Sequence, residues 1–366
     1  LKFLRSKKAK PAINSVYVHI PFCRSKCYYC DFYSLAGADE KIDKYLEALL
    51  RELDFWSELL DFSSVETIYF GGGTPTLLSS SKLNDLFEIV FSVLKGSFIE
   101  VTLEANPESL SEEKLSLFRK RGVTRVSVGI QSFDSKILNF LGRLHSAEQA
   151  FKAAELVKEH GFNLSLDFIY GIPGEPFSSW KKTLLKAAEL QPDSISCYAF
   201  SFRGKKFRGR SLKSDDDYFE EYIWTVNCLK THGYRHYEIS NWALPGKECR
   251  HNLNYWLRKN YLGLGPAAAS LIDDLRFSYE PELNNFLAES PHFYFEKLLP
   301  EQIQMEEIYL GLRTNLGIKL AQIPPRSLKK LEGLIKEKLL EIEGDCLRAT
   351  DRGMFVLDRL VLELLE

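Results

Sequence analysis

The sequence predicts an α/β fold in which six parallel strands alternate with helices, followed by a small α+β domain. Three observations lead there. From Val16 to about Phe200, short β-rich runs alternate with longer stretches of helical period, the signature of strand–helix–strand units. Polar residues gather at the C-terminal ends of those runs, where α/β folds place their chemistry. After about Gly204 the alternation fades, and a helical region returns from about Gln302 to Glu366. Parallel strands joined by helices form either a barrel or an open wound sheet, and periodicity does not choose between them.

The expected strands are Val16–Ile20, Thr67–Phe70, Ile99–Glu104, Arg125–Ile130, Leu164–Tyr170 and Ser194–Phe200. Each is a short run rich in β-branched, aromatic or large aliphatic residues, and each is followed by polar or turn-forming residues. Between them, Glu40–Leu60, Ser80–Leu94, Ser111–Lys120, Ala147–His160 and Phe177–Leu190 carry apolar residues at helical spacing. Along this series Cys23 follows the first strand and Gly71-Gly72-Gly73 the second. Glu104 closes the third, Gln131 follows the fourth, Asp167 lies in the fifth, and Ala199 is near the end of the sixth.

Beyond the repeats, Phe202 to Arg210 is a basic, glycine-containing loop, read as a solvated linker or as a contact for propionate or phosphate groups. A helix is expected over Asp215–His232, then a segment rich in His, Tyr, Asn and Trp from Tyr234 to Trp256, then a turn at Gly263-Leu264-Gly265-Pro266. The last stretch reads as helix–helix–β-hairpin–helix, like a winged-helix module. Its mixed charge shows no basic face for DNA.

Composition narrows the class. The chain has 366 residues, enough for two domains, and 45% are hydrophobic, ample for a large core. With 48 Lys and Arg against 50 Asp and Glu there is no global basic field, and no nucleic-acid partner is expected. No apolar run approaches the ~20 residues that span a bilayer. The basic segment Leu1–Lys10 reads as a solvated tail, with a targeting remnant or a membrane-surface contact as alternatives. Seven cysteines, three of them in one loop, argue against a secreted disulfide framework and for the reducing cytoplasm. Cys197, Cys228, Cys249 and Cys346 are scattered and read as buried small hydrophobes.

The most specific signal is Cys23-x3-Cys27-x2-Cys30, directly after Tyr17-Val18-His19-Ile20-Pro21-Phe22. Four irons of a [4Fe–4S] cluster normally want four thiolates. Three from one loop leave one iron open to a small molecule. A zinc site is the alternative, but it lacks a fourth nearby ligand. With Gly71-Gly72-Gly73-Thr74-Pro75-Thr76 after the second strand, the chain resembles the radical S-adenosylmethionine (SAM) superfamily. More narrowly, it resembles the group of oxygen-independent coproporphyrinogen III oxidase-like proteins and its haem chaperone branch.

That resemblance implies a partial (β/α)6 barrel open along one side, with a winged-helix-like C-terminal domain capping the substrate side. It implies a [4Fe–4S] cluster on Cys23, Cys27 and Cys30, with SAM on the open iron. Tyr29 matches the aromatic residue that lies against the adenine. Tyr17, Gly72, Gly73, Thr74, Glu104, Gln131, Arg143 and Ala199 fall on SAM-contacting positions, and Asp167 corresponds to the ribose-contacting acid. His251-Asn252-Leu253-Asn254-Tyr255-Trp256 matches a signature of the haem chaperone branch. His251 is then the expected haem ligand, with His236 and Tyr237 sharing its pocket; the alternative is a packed core histidine.

Two departures from the oxidase branch favour the chaperone. Phe32 stands where that branch carries a fourth cysteine, and only about 15 residues precede the first strand where the oxidases have a longer arm. Ala269, where many relatives place histidine, and the basic Ser201–Arg210 loop depart from the branch pattern. The expected organisation is a tail (1–15), a radical SAM partial barrel (16–200), a barrel extension with the haem or substrate segment (201–300) and a C-terminal domain (301–366). The expected function is a haem chaperone that binds cluster, SAM and haem and delivers haem to membrane haemoproteins. Radical decarboxylation of coproporphyrinogen III is the enzymatic alternative.

Overall fold

The computed structural model describes residues 9–201 and 212–365. Most of the basic tail and the basic loop from Phe202 to Arg210 therefore lie outside the described residues.

The six expected strands form the centre of one sheet. β1 (Ser15–Ile20), β2 (Thr67–Gly72), β3 (Glu100–Ala105), β4 (Arg125–Gln131), β5 (Asn163–Tyr170) and β6 (Ser194–Ala199) lie side by side in chain order, all parallel. α1 (Ile42–Leu59), α2 (Ser80–Val93), α3 (Glu112–Lys120), α4 (Ala147–Glu159) and α5 (Phe177–Glu189) join them. The helices start where local chemistry starts them. Ser79, Ser111 and Ser146 accept from the backbone three residues on, and Gln149 returns the bond to Ser146.

Strand alternation sorts the side chains by face. Val16, Val18 and Ile20 are fully buried, and the strands' outward residues pack with helix side chains such as Trp56, Phe87, Phe118 and Trp180 in one continuous core. Burying each large apolar side chain contributes roughly 1.5–3 kcal/mol. The alternate residues, Tyr17 and His19 on β1 among them, face the inside of the curve, where the polar groups collect.

The curve does not close. β9 (Tyr261–Leu264) pairs parallel with β1 and carries β10 (Ala269–Ile272), β11 (Leu275–Tyr279) and β12 (Phe293–Lys297) as an antiparallel extension. Beyond β6 lie β8 (Asn241–Ala243) and β7 (Arg235–Glu238). The expected turn at Gly263 is thus partly strand: Gly263 and Leu264 belong to β9, and the chain turns at Gly265, whose φ is +103°. α6 (Asp215–Thr231) and α7 (Arg250–Trp256) complete this part. The extension is tied to α1 where Trp56 Nε1 donates to the Tyr279 hydroxyl (2.9 Å), which donates to Glu52 (2.8 Å).

The C-terminal residues build a second core around Ile308, Leu312, Leu334, Leu347, Leu360 and Leu364. α8 (Pro300–Leu312), α9 (Leu328–Lys336) and α10 (Leu357–Leu365) surround a small sheet of β13 (Ile318–Lys319), β14 (Leu340–Glu343) and β15 (Cys346–Ala349). Arg313 forks both Nε and Nη2 onto fully buried Glu238 at 2.8 Å, and His236 Nδ1 meets Asp351 at 2.9 Å. Cys197, Cys228 and Cys249 are buried as expected, whereas Cys346 is half-exposed on the hairpin.

Candidate functional site

A cavity of about 380 Å³ opens at the C-terminal ends of the parallel strands and runs down inside the curve. Cys23, Cys27, Cys30, Tyr29, Gly72, Gly73, Thr74, Glu104, Gln131, Arg143, Asp167 and Ala199 all line it. Tyr17 does not: it lies one layer behind, its ring 6.0 Å from Tyr69 and its hydroxyl 3.1 Å from His19 Nδ1. His19 Nε2 lies 2.8 Å from the Tyr33 carbonyl, which can only accept, so Nε2 carries the proton and Tyr17 donates to Nδ1. Burial pushes His19 down to about 4, keeping it neutral.

The cysteine loop is held from two sides. Cys23 ends a short strand, and its sulfur lies 3.6 Å from Thr74 Oγ1. The Tyr28 N–H donates to the Leu141 carbonyl at 3.1 Å, at the end of a short helix, Ser135–Leu141. Asp134 caps that helix, and Gly142 closes it in the left-handed region at φ +75°. The turn carries Arg143 back over the loop, where Nη1 approaches Cys27 Sγ at 3.5 Å. Arg143 Nη2 also donates to Asn106 (2.7 Å) and the Gly129 carbonyl (2.6 Å), and Asn106 donates to Thr74 (3.0 Å). Thr74, Asn106 and Arg143 thus link Cys23 to Cys27 across the cavity mouth.

All three thiols are half-buried, and burial pushes Cys30 up. Among the described residues, no three His, Cys, Asp or Glu side chains converge to hold a single metal ion. One zinc needs its ligands at one point; a cubane offers each thiolate a different iron. Three thiols on one loop are a donor set that suits iron–sulfur ligation.

The glycine run brings bare backbone beside this loop. Gly73 N donates to the Ile20 carbonyl at 2.8 Å, and a Cβ on Gly73 would strike the Ile20 and Phe22 carbonyls. Gly72 has φ +105°, and a Cβ there would enter the His19 ring. Its N–H donates to Glu104 Oε2 (3.0 Å), while Tyr69 donates to Oε1 (2.8 Å). Burial raises Glu104 to about 7 against those two bonds. Deeper, Ser127 donates to Asp167 Oδ2 (2.9 Å), and burial raises that carboxyl too. Gln131 sits at φ +69° beside a register shift in β4, and Arg143 Nε is buried without a hydrogen-bond partner among the described residues. The glycine cradle, two half-buried acids and the unsatisfied guanidinium nitrogen suit a ligand with ammonium, carboxylate and ribose groups.

A model of the Radical SAM superfamily matches residues 17–187, and one of the HemN C-terminal domain matches residues 298–356. Heme chaperone HemW of Lactococcus lactis is 34% identical over 360 residues, covering 93% of this chain and 94% of that protein. Heme chaperone HemW of Mycobacterium tuberculosis is 35% identical over 371 residues, covering 96% of this chain and 94% of its own.

The chain belongs to the HemW family of radical SAM proteins.

The solved structure described as "Coproporphyrinogen III oxidase (HemN) from Escherichia coli is a Radical SAM enzyme" shares the fold. Its TM-score is 0.85 at 23% identity, over 99% of this chain and 92% of that one. The expected architecture, a partial barrel with a small C-terminal domain, is therefore the architecture of this HemW-family chain.

His251, the residue expected to take haem, is packed between the sheet and its own helix. His251 sits in α7, 1% exposed, with Nδ1 2.9 Å from Thr67 Oγ1 and Nε2 2.8 Å from the Tyr255 hydroxyl. Both ring nitrogens are used, and burial lowers it to about 3. Glu100 accepts from the His251 and Arg250 N–H groups at 3.0 and 3.1 Å, fixing α7 against the sheet. His236 shares no pocket with His251; its nitrogens meet Asp351 (2.9 Å) and the Ile239 carbonyl (3.2 Å). The Tyr237 hydroxyl accepts from the Cys249 N–H at 3.4 Å, two residues before His251.

Sequence reasoning passed over Asn106, Tyr69 and Ser127. Asn106 stands in the quoted Leu103-Glu104-Ala105-Asn106-Pro107 run, two residues after Glu104. Tyr69 and Ser127 point inward by strand alternation, a signal present in the sequence but shared by every inward residue.

Proposed function

We propose that this chain is a haem chaperone that holds a [4Fe–4S] cluster, binds SAM beside it, and passes haem to membrane haemoproteins from the cytoplasm. The observation that carries the reading is the set of three half-buried thiols at the cavity mouth, with exposed Phe32 rather than a fourth cysteine beside them. The naming of the full-length relatives supports the haem cargo. Among the described residues no helix is long and apolar enough to cross a membrane.

Cys23, Cys27 and Cys30 are the proposed iron ligands. Gly72, Gly73, Thr74, Gln131 and Arg143 are proposed to hold the methionine end of SAM, Glu104 its ammonium and Asp167 its ribose. Tyr29 is proposed to lie against the adenine and Ala199 to line its pocket wall, while Tyr17 braces His19 beside Gly72. When bound, the cluster supplies an electron and an open coordination position. The protein's own part is to keep that corner dry and oriented. Arg143 offsets thiolate charge at Cys27, and Glu104 offers a buried carboxyl that becomes anionic once an ammonium lies beside it.

The deciding experiment is anaerobic reconstitution followed by two assays on one sample. Haemin should bind and move to an apo-haemoprotein, and coproporphyrinogen III with SAM and reductant should not turn over. Many turnovers of coproporphyrinogen III would replace this reading with the oxidase.

A further inference from the structure

We propose that Glu108 and His145 are positioning residues for SAM: together they form a second clamp, behind the cavity wall, that sets the Arg143 guanidinium over the cysteine loop. This rests on the SAM-binding reading above and names what holds its arginine in place.

The clamp follows from how two strands end. β3 runs into a short turn, Asn106-Pro107-Glu108-Ser109. β4 ends in a bulge: its register with β5 shifts between Gly129 and Gln131, which leaves Ile130 as the extra residue. Arg143 bridges these two ends on the cavity side, through Asn106 (2.7 Å) and the Gly129 carbonyl (2.6 Å). His145 bridges the same two ends one step further on. Its Nε2 lies 3.1 Å from the Ile130 carbonyl, and its Nδ1 lies 3.4 Å from Glu108 Oε2. Leu144, between them, is exposed, whereas His145 is buried and Arg143 half-buried. Asn106 with Arg143, and Glu108 with His145, are thus two parallel bridges between the same pair of chain segments.

The second bridge is built around a proton. The Ile130 carbonyl only accepts, so His145 Nε2 carries hydrogen. Nδ1 and Glu108 Oε2 then face each other, and neither has a hydrogen-bond partner among the described residues. Two bare lone pairs at this distance away from water would repel; one proton held between them makes the contact attractive. Burial pushes the Glu108 carboxyl up, but the His145 ring, the Glu108 backbone N–H and Arg143 outweigh it and hold Glu108 below the usual carboxylate range. Glu108 therefore supplies the negative charge that draws the 143–145 segment onto the 106–109 turn.

Both sides of the clamp are anchored. Lys114 donates to the Ser109 carbonyl (3.1 Å) and the Thr76 carbonyl (2.5 Å), bracing the turn that carries Glu108. Gly142 closes the Ser135–Leu141 helix just before Arg143. A binding group must be held to within about 0.5 Å by the residues around it. Arginine is long and flexible, so that precision has to come from its main chain, which His145 fixes two residues on.

The test is equilibrium SAM binding to the anaerobically reconstituted full-length chain, with iron content as the folding control. His145→Ala and Glu108→Ala should each weaken SAM roughly tenfold at full iron content. Glu108→Gln should recover most of the affinity, because its amide can donate to a bare Nδ1. In an Arg143→Ala background, His145→Ala should weaken SAM by less than about twofold more, since it acts through that guanidinium; a general loosening of the fold would add its full effect. If His145→Ala takes up no iron, the Glu108 variants decide alone. Wild-type affinity in Glu108→Ala, or the same loss from His145→Ala with and without Arg143, overturns the clamp while the SAM reading stands. A wild-type chain that takes up iron and binds no SAM overturns both.

Discussion

Arg143 Nη1 lies 3.5 Å from the sulfur of Cys27, reaching 116 residues back along the chain to the cysteine loop. The same guanidinium bonds Asn106 and the Gly129 carbonyl, so one side chain joins the cysteine loop, the third strand end and the fourth.

Arg143→Ala removes charge-assisted bonds worth about 1.5–3 kcal/mol each. SAM affinity of the reconstituted protein should fall roughly ten- to hundredfold. Arg143→Lys should recover only part of it, because an ammonium cannot fork. Equilibrium binding of SAM checks this; wild-type affinity in Arg143→Ala would contradict the proposed contact.

Cys27→Ala should drop reconstituted iron from about four per chain to near zero, since two thiolates do not hold a cubane. Iron and sulfide analysis reads it directly. A stoichiometric zinc ion in the wild-type protein would count against the cluster.

Glu104 ties stability to pH. Its folded value, about 7, is above its ordinary 4.5, so the native state binds the proton more tightly than the unfolded chain. The stabilisation is full below about 4.5 and is lost as pH rises through 7, by about 3 kcal/mol in all. Glu104→Gln should flatten that part of the profile in the apoprotein. Denaturant melts at pH 5 and pH 8 measure it; equal slopes in both proteins would place Glu104 outside the linkage.

His251→Ala strips partners from the Thr67 and Tyr255 hydroxyls and leaves a cavity beneath β2. A stability loss of about 2–4 kcal/mol is expected, with the haemin spectrum unchanged in the protein that remains folded. A selective loss of the Soret band at wild-type stability would restore the ligand role.

Arg313→Ala leaves Glu238 charged and buried without its fork, at a cost of about 3–5 kcal/mol. The C-terminal core should then melt or be cleaved ahead of the barrel. Limited proteolysis reports it, and unchanged digestion would show that the domains are held elsewhere.

Much of the fold was legible because its causes are local. Val16, Val18 and Ile20 announce a strand by alternation, and Ser79, Ser111 and Ser146 announce helix starts by capping. The three cysteines and the glycine run are close in sequence, so spacing alone carries their chemistry. The sheet extension was not legible: β9 joins β1 from almost the far end of the chain, and its Gly263-Leu264 reads as a turn until a neighbour supplies the ladder.

Local spacing and side-chain chemistry determined the repeating α/β pattern, the three-cysteine loop and the acids at the strand ends, because each follows from residues a few positions apart. Long-range packing alone could assign the histidines. His251 and Thr67 are 184 residues apart, yet their bond packs the histidine into the core. A motif specifies which groups are present; whether a nitrogen keeps its lone pair free depends on what the folded chain lays against it.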